Sequence, residues 1–272
     1  MPLETLRRRY AAYEWRPVAI GMSDARVFHL ASPTGRDLFV KTAALNEHPD
    51  PGFHLHQEAE RLEWLAGQDV PAPEVVDAGR TGEGEYLVMT AVSGRSLAEP
   101  WSPAERRGLM EFLGEFTARL HGLPVSDCPF SRGVKEMAAA ARKAADLELV
   151  DLDDLDEERD GADLQELSGE LEDALDSAPP EEAVVCHGDY CAPNVLADPA
   201  TLAISGIVDV GRVGVADRYS DLALMTRSLS DRGLNPQWGT WAAHAFMEAY
   251  GIDPARIDEE KIAFYRLLDE FA

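Results

Sequence analysis

The feature that most constrains this chain is the stretch AVVCHGDYCAPNVLADPATLAISGIVDVGRVGVADRYSDLALM, residues 183–225. VVC, NVLAD and GIVDV read as short buried strands, with polar residues placed at their ends and in the turns between. His187-Gly188-Asp189, Asn194 and Asp209 are among those polar residues.

The flanking sequence has two textures. The first hundred residues read as alternating segments, VAIGMSDARVFHLAS, DLFVKTA and EYLVMTAV, with Pro33, Thr34 and Gly35 turning between the first two, which predicts an antiparallel sheet. Between the second and third, HLHQEAERLEWLAG repeats Leu55, Ala59, Leu62 and Leu65 at helical spacing and stops at Gly67. VPAPEVVDAG is a Pro-interrupted extended piece. Beyond residue 100 the period changes: SPAERRGLMEFLGEFTARLHGL puts Leu109, Phe112, Leu113, Phe116 and Leu120 on one helical face behind a Ser102 N-cap. Residues 146–182 set Asp151, Asp153, Asp154, Asp156, Glu157 and Glu158 against the lone base Arg159. Leu164, Leu167, Leu171 and Leu175 keep a helical period there, so this region reads as helices with acidic faces. The tail returns to amphipathic helix. The sum is an α+β chain of two lobes around a cleft, hinged near residues 90–95. Its N-terminal lobe, 1–93, holds the antiparallel sheet and one main helix; its larger lobe, 94–272, is mostly helical.

Composition narrows the partners. Fifty acidic against 25 basic residues give a net charge of −25, which repels nucleic acid and anionic membranes and attracts cations; a solvated acidic surface is the plainer reading of the same charge. No stretch reaches the roughly 18 uncharged apolar residues of a membrane span, and the N-terminus lacks a long apolar core. Three cysteines without a CxxC pair suggest neither a disulfide framework nor structural zinc. A soluble, cytoplasmic protein with no nucleic-acid and no membrane partner is expected.

The chemistry follows from order and spacing. Phosphoryl transfer needs a carboxylate beside the attacking hydroxyl and oxygen ligands for magnesium on the nucleotide phosphates. Asp189 suits the first role; Asn194, five positions on in an HxDxxxxN pattern, and Asp209 after a following strand suit the second. Each alone is more often a turn or cap residue; strand, loop, strand and second acid in order, with a lysine in the front half, favour the chemistry. Lys41, in the strand LFVK, would reach the phosphates, and Glu58 at the start of the next helix would pair with it, although an exposed Lys and a helix-dipole Glu make the common alternative. Gly21–Val27 sits where a phosphate-covering hairpin would lie, with backbone amides and the Ser23 hydroxyl as contacts; GxGxxG and GxxxxGK[ST] are both absent. His187 reads as loop packing, and Cys186 and Cys191 as small buried residues.

Taken together, GMSDARVF, LFVK, EAERLEWL, VVCHGDYCAPNVLADP, GIVDVGRVGVADRYSDLAL and KIAFYRLLDEF resemble the aminoglycoside phosphotransferase family, with its bilobed protein-kinase-like fold, over nearly the whole chain. The resemblance implies ATP and Mg2+ as cofactors, Lys41 and Glu58 as the phosphate-anchoring pair, Asp189 as catalytic base, and Asn194 and Asp209 as metal ligands. It places Phe39 on adenine with backbone groups of Thr90 to Val92 reading the base edge, and Arg212 near the transferred phosphate or supporting the loop. Asp217 and Asp221 look like supports of the catalytic loop. Asp231 and Glu270 match substrate-contacting positions, and Asp153, Asp154 and Glu157 belong to an insert walling the antibiotic site. The substrate implied is a cationic aminoglycoside, the context antibiotic resistance, and the protein a monomer.

One departure is the ending Asp269-Glu270-Phe271-Ala272, which lacks the final aromatic of many 3'-enzymes. CPFSR and the DPATLAISGIVDVGR–ADRYSDLALM region look closer to streptomycin 3''-phosphotransferases, so the 3''-hydroxyl of streptomycin is the expected acceptor, with the 3'-hydroxyl of kanamycin, neomycin or paromomycin as the alternative. A metabolic kinase of the choline or homoserine type shares the HGDxxxxN core.

Overall fold

The computed structural model describes residues 2–18 and 25–272. Helix α1 (Pro2–Arg9) precedes strands β1 (Glu14–Val18), β2 (Arg26–Ala31) and β3 (Leu38–Ala43); then come α2 (Leu55–Ala66), β4 (Val75–Thr81) and β5 (Gly84–Thr90). These strands form one five-stranded sheet in the order β1-β2-β3-β5-β4, antiparallel throughout. Because side chains alternate along a strand, β3 sends Leu38 and Val40 to a cluster that α1 closes with Leu6, and sends Phe39 to the main core on the opposite side. Lys41 shares the parity of Phe39.

The remainder is β6 (Arg95–Ser96), α3 (Arg106–His121), α4 (Val134–Asp146), α5 (Leu164–Asp176), β7 (Ala183–Cys186), β8 (Val195–Ala197), β9 (Ile204–Ile207), β10 (Gly214–Asp217), α6 (Arg218–Ser230), α7 (Thr240–Tyr250) and α8 (Glu259–Asp269). Two small sheets, β10-β7 and β6-β8-β9, sit among the helices. The fold is therefore bilobed and protein-kinase-like, a sheet lobe beside a helical one. Its main core is continuous between them: Leu55, Leu62 and Leu65 of α2 belong to the same buried cluster as Leu109, Leu113, Leu222 and Phe246. Arg61 of α2 also reaches over, donating from Nε to the Val213 carbonyl at 2.9 Å. No helix among the described residues is long and apolar enough to cross a membrane.

Several expectations are corrected. Ser102 is not an N-cap: α3 starts at Arg106, and it is the Ser102 amide that donates to Glu105 Oε2, at 2.8 Å. Residues 103–105 form a turn ahead of the helix, closed by the Glu105 amide on the Ser102 carbonyl at 3.0 Å. Phe112 faces outward, while Leu109, Leu113, Phe116 and Leu120 are buried; the core side of α3 is narrower than its apolar count. Of the acidic region, only α5 is a regular helix, begun by a reciprocal cap between Asp163 and Glu166. Residues 147–163 are loop with one 3-10 turn, Glu157–Arg159, since carboxylates this dense repel one another on successive helical turns.

Candidate active site

The apolar frame brings the polar residues to the junction of the two lobes. On β3, Lys41 is buried, and its ammonium donates to Glu58 Oε1 at 2.7 Å and Oε2 at 2.9 Å. The same ammonium bonds Asp209 Oδ1. Burial works against the Lys41 charge, but the Asp209 and Glu58 carboxylates outweigh it and hold the ammonium well above the ordinary lysine range. Burial likewise works against the Asp209 carboxylate, and Lys41 reverses the balance so that it stays ionised.

Asp209 lies just past β9 in a left-handed conformation, φ 57° and ψ 49°. An L-residue pays about 1–2 kcal/mol there, and such strain gathers at functional sites. A 3-10 turn, Val210–Arg212, follows, and the Asp209 side chain is 48% exposed, so one edge of its carboxylate is open.

The loop after β7 is suspended from below. Asp221, at the start of α6, accepts the His187 amide at 2.7 Å, the Gly188 amide at 2.8 Å and His121 Nε2 at 3.1 Å. Burial would raise this carboxyl; the His121 contact and the loop amides bring it below its usual range. Gly188 has φ +83°, and a Cβ there would stand 2.3 Å from the Arg212 carbonyl, so only glycine fits. His187 donates from Nε2 to the Val208 carbonyl at 3.0 Å and accepts the Asp189 amide on Nδ1 at 3.2 Å, which fixes the orientation of its ring and its place as packing. Asp217 holds Lys261 at 2.7 Å and the Tyr219 amide at 2.8 Å, a supporting role like that of Asp221.

Asp189 points outward from this platform, 37% exposed at its side chain. Asn194 donates from Nδ2 to Asp189 Oδ2 at 2.9 Å and to the Asp189 carbonyl at 3.0 Å, leaving its own Oδ1 available. The Asn194 amide oxygen and the Asp209 carboxylate are hard oxygen donors of the kind that suits a small divalent cation. Arg212 Nη1 is 4.0 Å from Asp189 Oδ1. Cys191 places its thiol 3.9 Å from the same oxygen; burial pushes that thiol far up, so it is protonated and is the donor in this contact.

The other sequence-predicted residues fall as follows. Phe39 is half-buried on the side of β3 that Lys41 shares, its ring 5.1 Å from that of His29. The Thr90 amide is engaged by the Glu74 carbonyl at 2.9 Å, and Val92 leans against Gly206 of β9. Ser23 lies outside the described residues. Asp154 is exposed on the 147–163 loop. Asp231 is exposed just after α6, with Oδ1 accepting the Gly233 amide at 2.6 Å and the Leu234 amide at 3.3 Å. Glu270, expected at the substrate, is buried: its side chain is 3% exposed and meets Arg159 Nη1 at 3.4 Å and the Asp156 amide at 3.3 Å. Its neighbour Asp269 takes the place nearer the cleft, 3.8 Å from Arg212 and bonded to Arg227 at 2.5 Å.

Sequence reasoning missed Asp269, Arg227, Asp156 and Asp50, which link through Arg212 to Asp189. Each is an ordinary charged residue in sequence. A signal was available only for Asp269, in the closing LDEF.

The phosphotransferase enzyme family matches the chain over residues 14–265. An aminoglycoside 3'-phosphotransferase of Streptomyces fradiae is 42% identical over 98% of both chains. The streptomycin 3''-kinase of Streptomyces griseus is 36% identical over 94% of this chain and 91% of its own. Among solved structures, the aminoglycoside-3'-phosphotransferase of type VIII superposes with a TM-score of 0.88 at 43% identity, covering 99% of this chain and 97% of that one. Aminoglycoside phosphotransferase APH(3'')-Id from Streptomyces rimosus, in complex with ADP and streptomycin, superposes with a TM-score of 0.81 at 32% identity, covering 99% and 96%. The chain belongs to the aminoglycoside phosphotransferase family and is an enzyme of phosphoryl transfer.

Proposed function

We propose that this enzyme moves the γ-phosphoryl group of ATP, with Mg2+, to a hydroxyl of a cationic aminoglycoside. The observation that carries the reading is that Asn194 bonds Asp189 and Lys41 bonds Asp209, while the Val208 amide beside Asp209 donates to the Asn194 carbonyl at 2.9 Å and so joins the two pairs. Lys41, held by Glu58, sets an ammonium against the nucleotide phosphates. Asn194 Oδ1 and the open edge of Asp209 would hold magnesium, which supplies charge neutralisation on the phosphate oxygens. Asp189 accepts or orients the acceptor proton, and Arg212 beside it offsets charge on the group in transfer. Phe39 offers a face to adenine, with the remaining backbone groups of Thr90 to Val92 at its edge. A net charge of −25 draws a polycation toward the cleft, where Asp154, Asp231 and Asp269 are candidate contacts.

For the acceptor we favour the 3'-hydroxyl. Its support is identity along the whole chain: 42% with the 3'-enzymes of Streptomyces fradiae and Streptomyces ribosidificus against 36% with the streptomycin kinase. The streptomycin 3''-hydroxyl is the second reading, favoured by CPFSR and the DPATLAISGIVDVGR region. A coupled assay comparing kanamycin, neomycin and streptomycin tests both. Turnover of kanamycin or neomycin with streptomycin inert supports the first reading, and the reverse pattern installs the second. Turnover of choline or homoserine with every aminoglycoside inert overturns both.

A further inference from the structure

The loop between β3 and α2, residues 44–54, carries a carboxylate with no part in the chemistry above. The Asp50 side chain is 4% exposed. Its Oδ1 accepts the Gly52 amide at 2.7 Å and Arg212 Nε at 2.8 Å, and its Oδ2 accepts Arg132 Nη1 at 2.9 Å. Burial alone would raise this carboxyl; Arg212 and Arg132 overturn that and hold it far below the carboxylate range.

The two turns involved touch at backbone distance. A Cβ on Gly52 would stand 2.8 Å from Arg212 Nε, and one on Gly211 would stand 3.1 Å from the Gly52 Cα. Arg212 is thus gripped at Nε from the sheet lobe, while its Nη1 lies 4.0 Å from Asp189 Oδ1 and 3.8 Å from Asp269 Oδ1. A guanidinium can fork onto a carboxylate side-on, through Nε and one Nη, or end-on, through both Nη atoms. With Nε committed to Asp50 the side-on fork is closed to Asp189, which Arg212 faces across a gap too long for a hydrogen bond.

We propose that Asp50 is a positioning residue for phosphoryl transfer: by holding Arg212 Nε it keeps the guanidinium beside Asp189 without forking onto it, and it docks the loop of the sheet lobe on the Asp209–Arg212 turn. The proposal rests on the phosphotransferase reading above. It differs from a general stabilising role in requiring a loss of kcat that disappears once Arg212 itself is replaced. Misplacing a catalytic group by about an ångström costs on the order of a hundredfold in rate, so losing the grip falls on kcat.

The test is a double-mutant cycle on the full chain, with kcat, nucleotide Kd and the arginine Nε–H resonances as readouts. Asp50→Asn keeps the shape and one acceptor oxygen but removes the charge. It is expected to lower kcat by roughly tenfold to a hundredfold, with nucleotide Kd within about twofold of the parent, and to shift and speed the exchange of the Arg212 Nε–H. In an Arg212→Gln background, Asp50→Asn should slow turnover no further. If Asp50→Asn does not fold, Gly52→Ala displaces the same guanidinium sterically with no charge change, and the same pattern is expected. Unchanged kcat in Asp50→Asn, or losses that multiply in the double variant, overturns the proposal while leaving the functional reading intact. An unsubstituted protein inert toward every aminoglycoside overturns that reading and this role with it.

Discussion

Asn194 gives its side-chain amide hydrogens to Asp189, Nδ2 to Oδ2 at 2.9 Å. One residue thereby orients the carboxylate and, in the proposed reading, would hold the divalent cation through its remaining oxygen. Asn194→Asp would set two carboxylates against each other, and two such groups share a proton. The acid limb of the kcat profile should move to higher pH and turnover should fall at least tenfold; a pH–rate profile checks both.

Removing the carboxylate altogether separates base from nucleotide site. Asp189→Ala should lower kcat by about 10²–10⁴, while Mg2+–nucleotide affinity stays near that of the parent. Asp209→Ala should weaken the affinity itself. Nucleotide titration monitored by calorimetry beside steady-state kinetics distinguishes the two.

Lys41 and Glu58 are both buried and paired at 2.7 Å. Lys41→Met leaves Glu58 without its cation in the interior, a change that costs about 3–5 kcal/mol. Lys41→Met with Glu58→Leu should recover much of that stability and none of the turnover, because apolar packing can replace a buried ion pair but cannot anchor a phosphate. Urea unfolding and a coupled assay on both variants provide the comparison.

Glu270 carries a pH signature. Burial, then the Asp156 carboxylate, lift its carboxyl from 4.5 to about 7. A raised acid binds its proton more tightly folded than unfolded, so its stabilising effect is present below pH 4.5 and is lost as pH climbs toward 7. The loss amounts to roughly 3 kcal/mol at 1.36 kcal/mol per pH interval. Glu270→Gln should flatten the decline of stability across that window, as read from denaturation midpoints at several pH values.

Asp221 holds the catalytic loop by its amides, with the Gly188 amide at 2.8 Å and the His187 amide at 2.7 Å. Asp221→Asn offers one oxygen and one NH2 to a set of donors, so a buried N–H loses its partner at a cost of about 1–3 kcal/mol. A lower thermal midpoint together with reduced kcat is expected, with an unchanged nucleotide Kd.

Much of this was written in local pattern. The period of α2 and its stop at Gly67, the alternation of β3, and the short strands around HGDYCAPN are dictated by burial at fixed spacing, and those elements lie where the pattern put them. The loop at 147–163 and the true start of α3 were not legible, because charge repulsion in the one and a tight turn at 103–105 before the other competed with an apolar period that by itself reads as helix.

Sequence order and spacing alone determined the fold class and picked out the residues proposed to carry the chemistry: an acid five positions before an amide, a second acid beyond a strand, a lysine on a sheet. Only the tertiary structure decided which charges surround them. The Asp50–Arg212–Asp269–Arg227 chain joins a loop before α2 to the end of α8, and the inward turn of Glu270 depends on an arginine in a distant loop. Long, flexible charged side chains choose partners by proximity in space, and that proximity comes into being only once the core has packed.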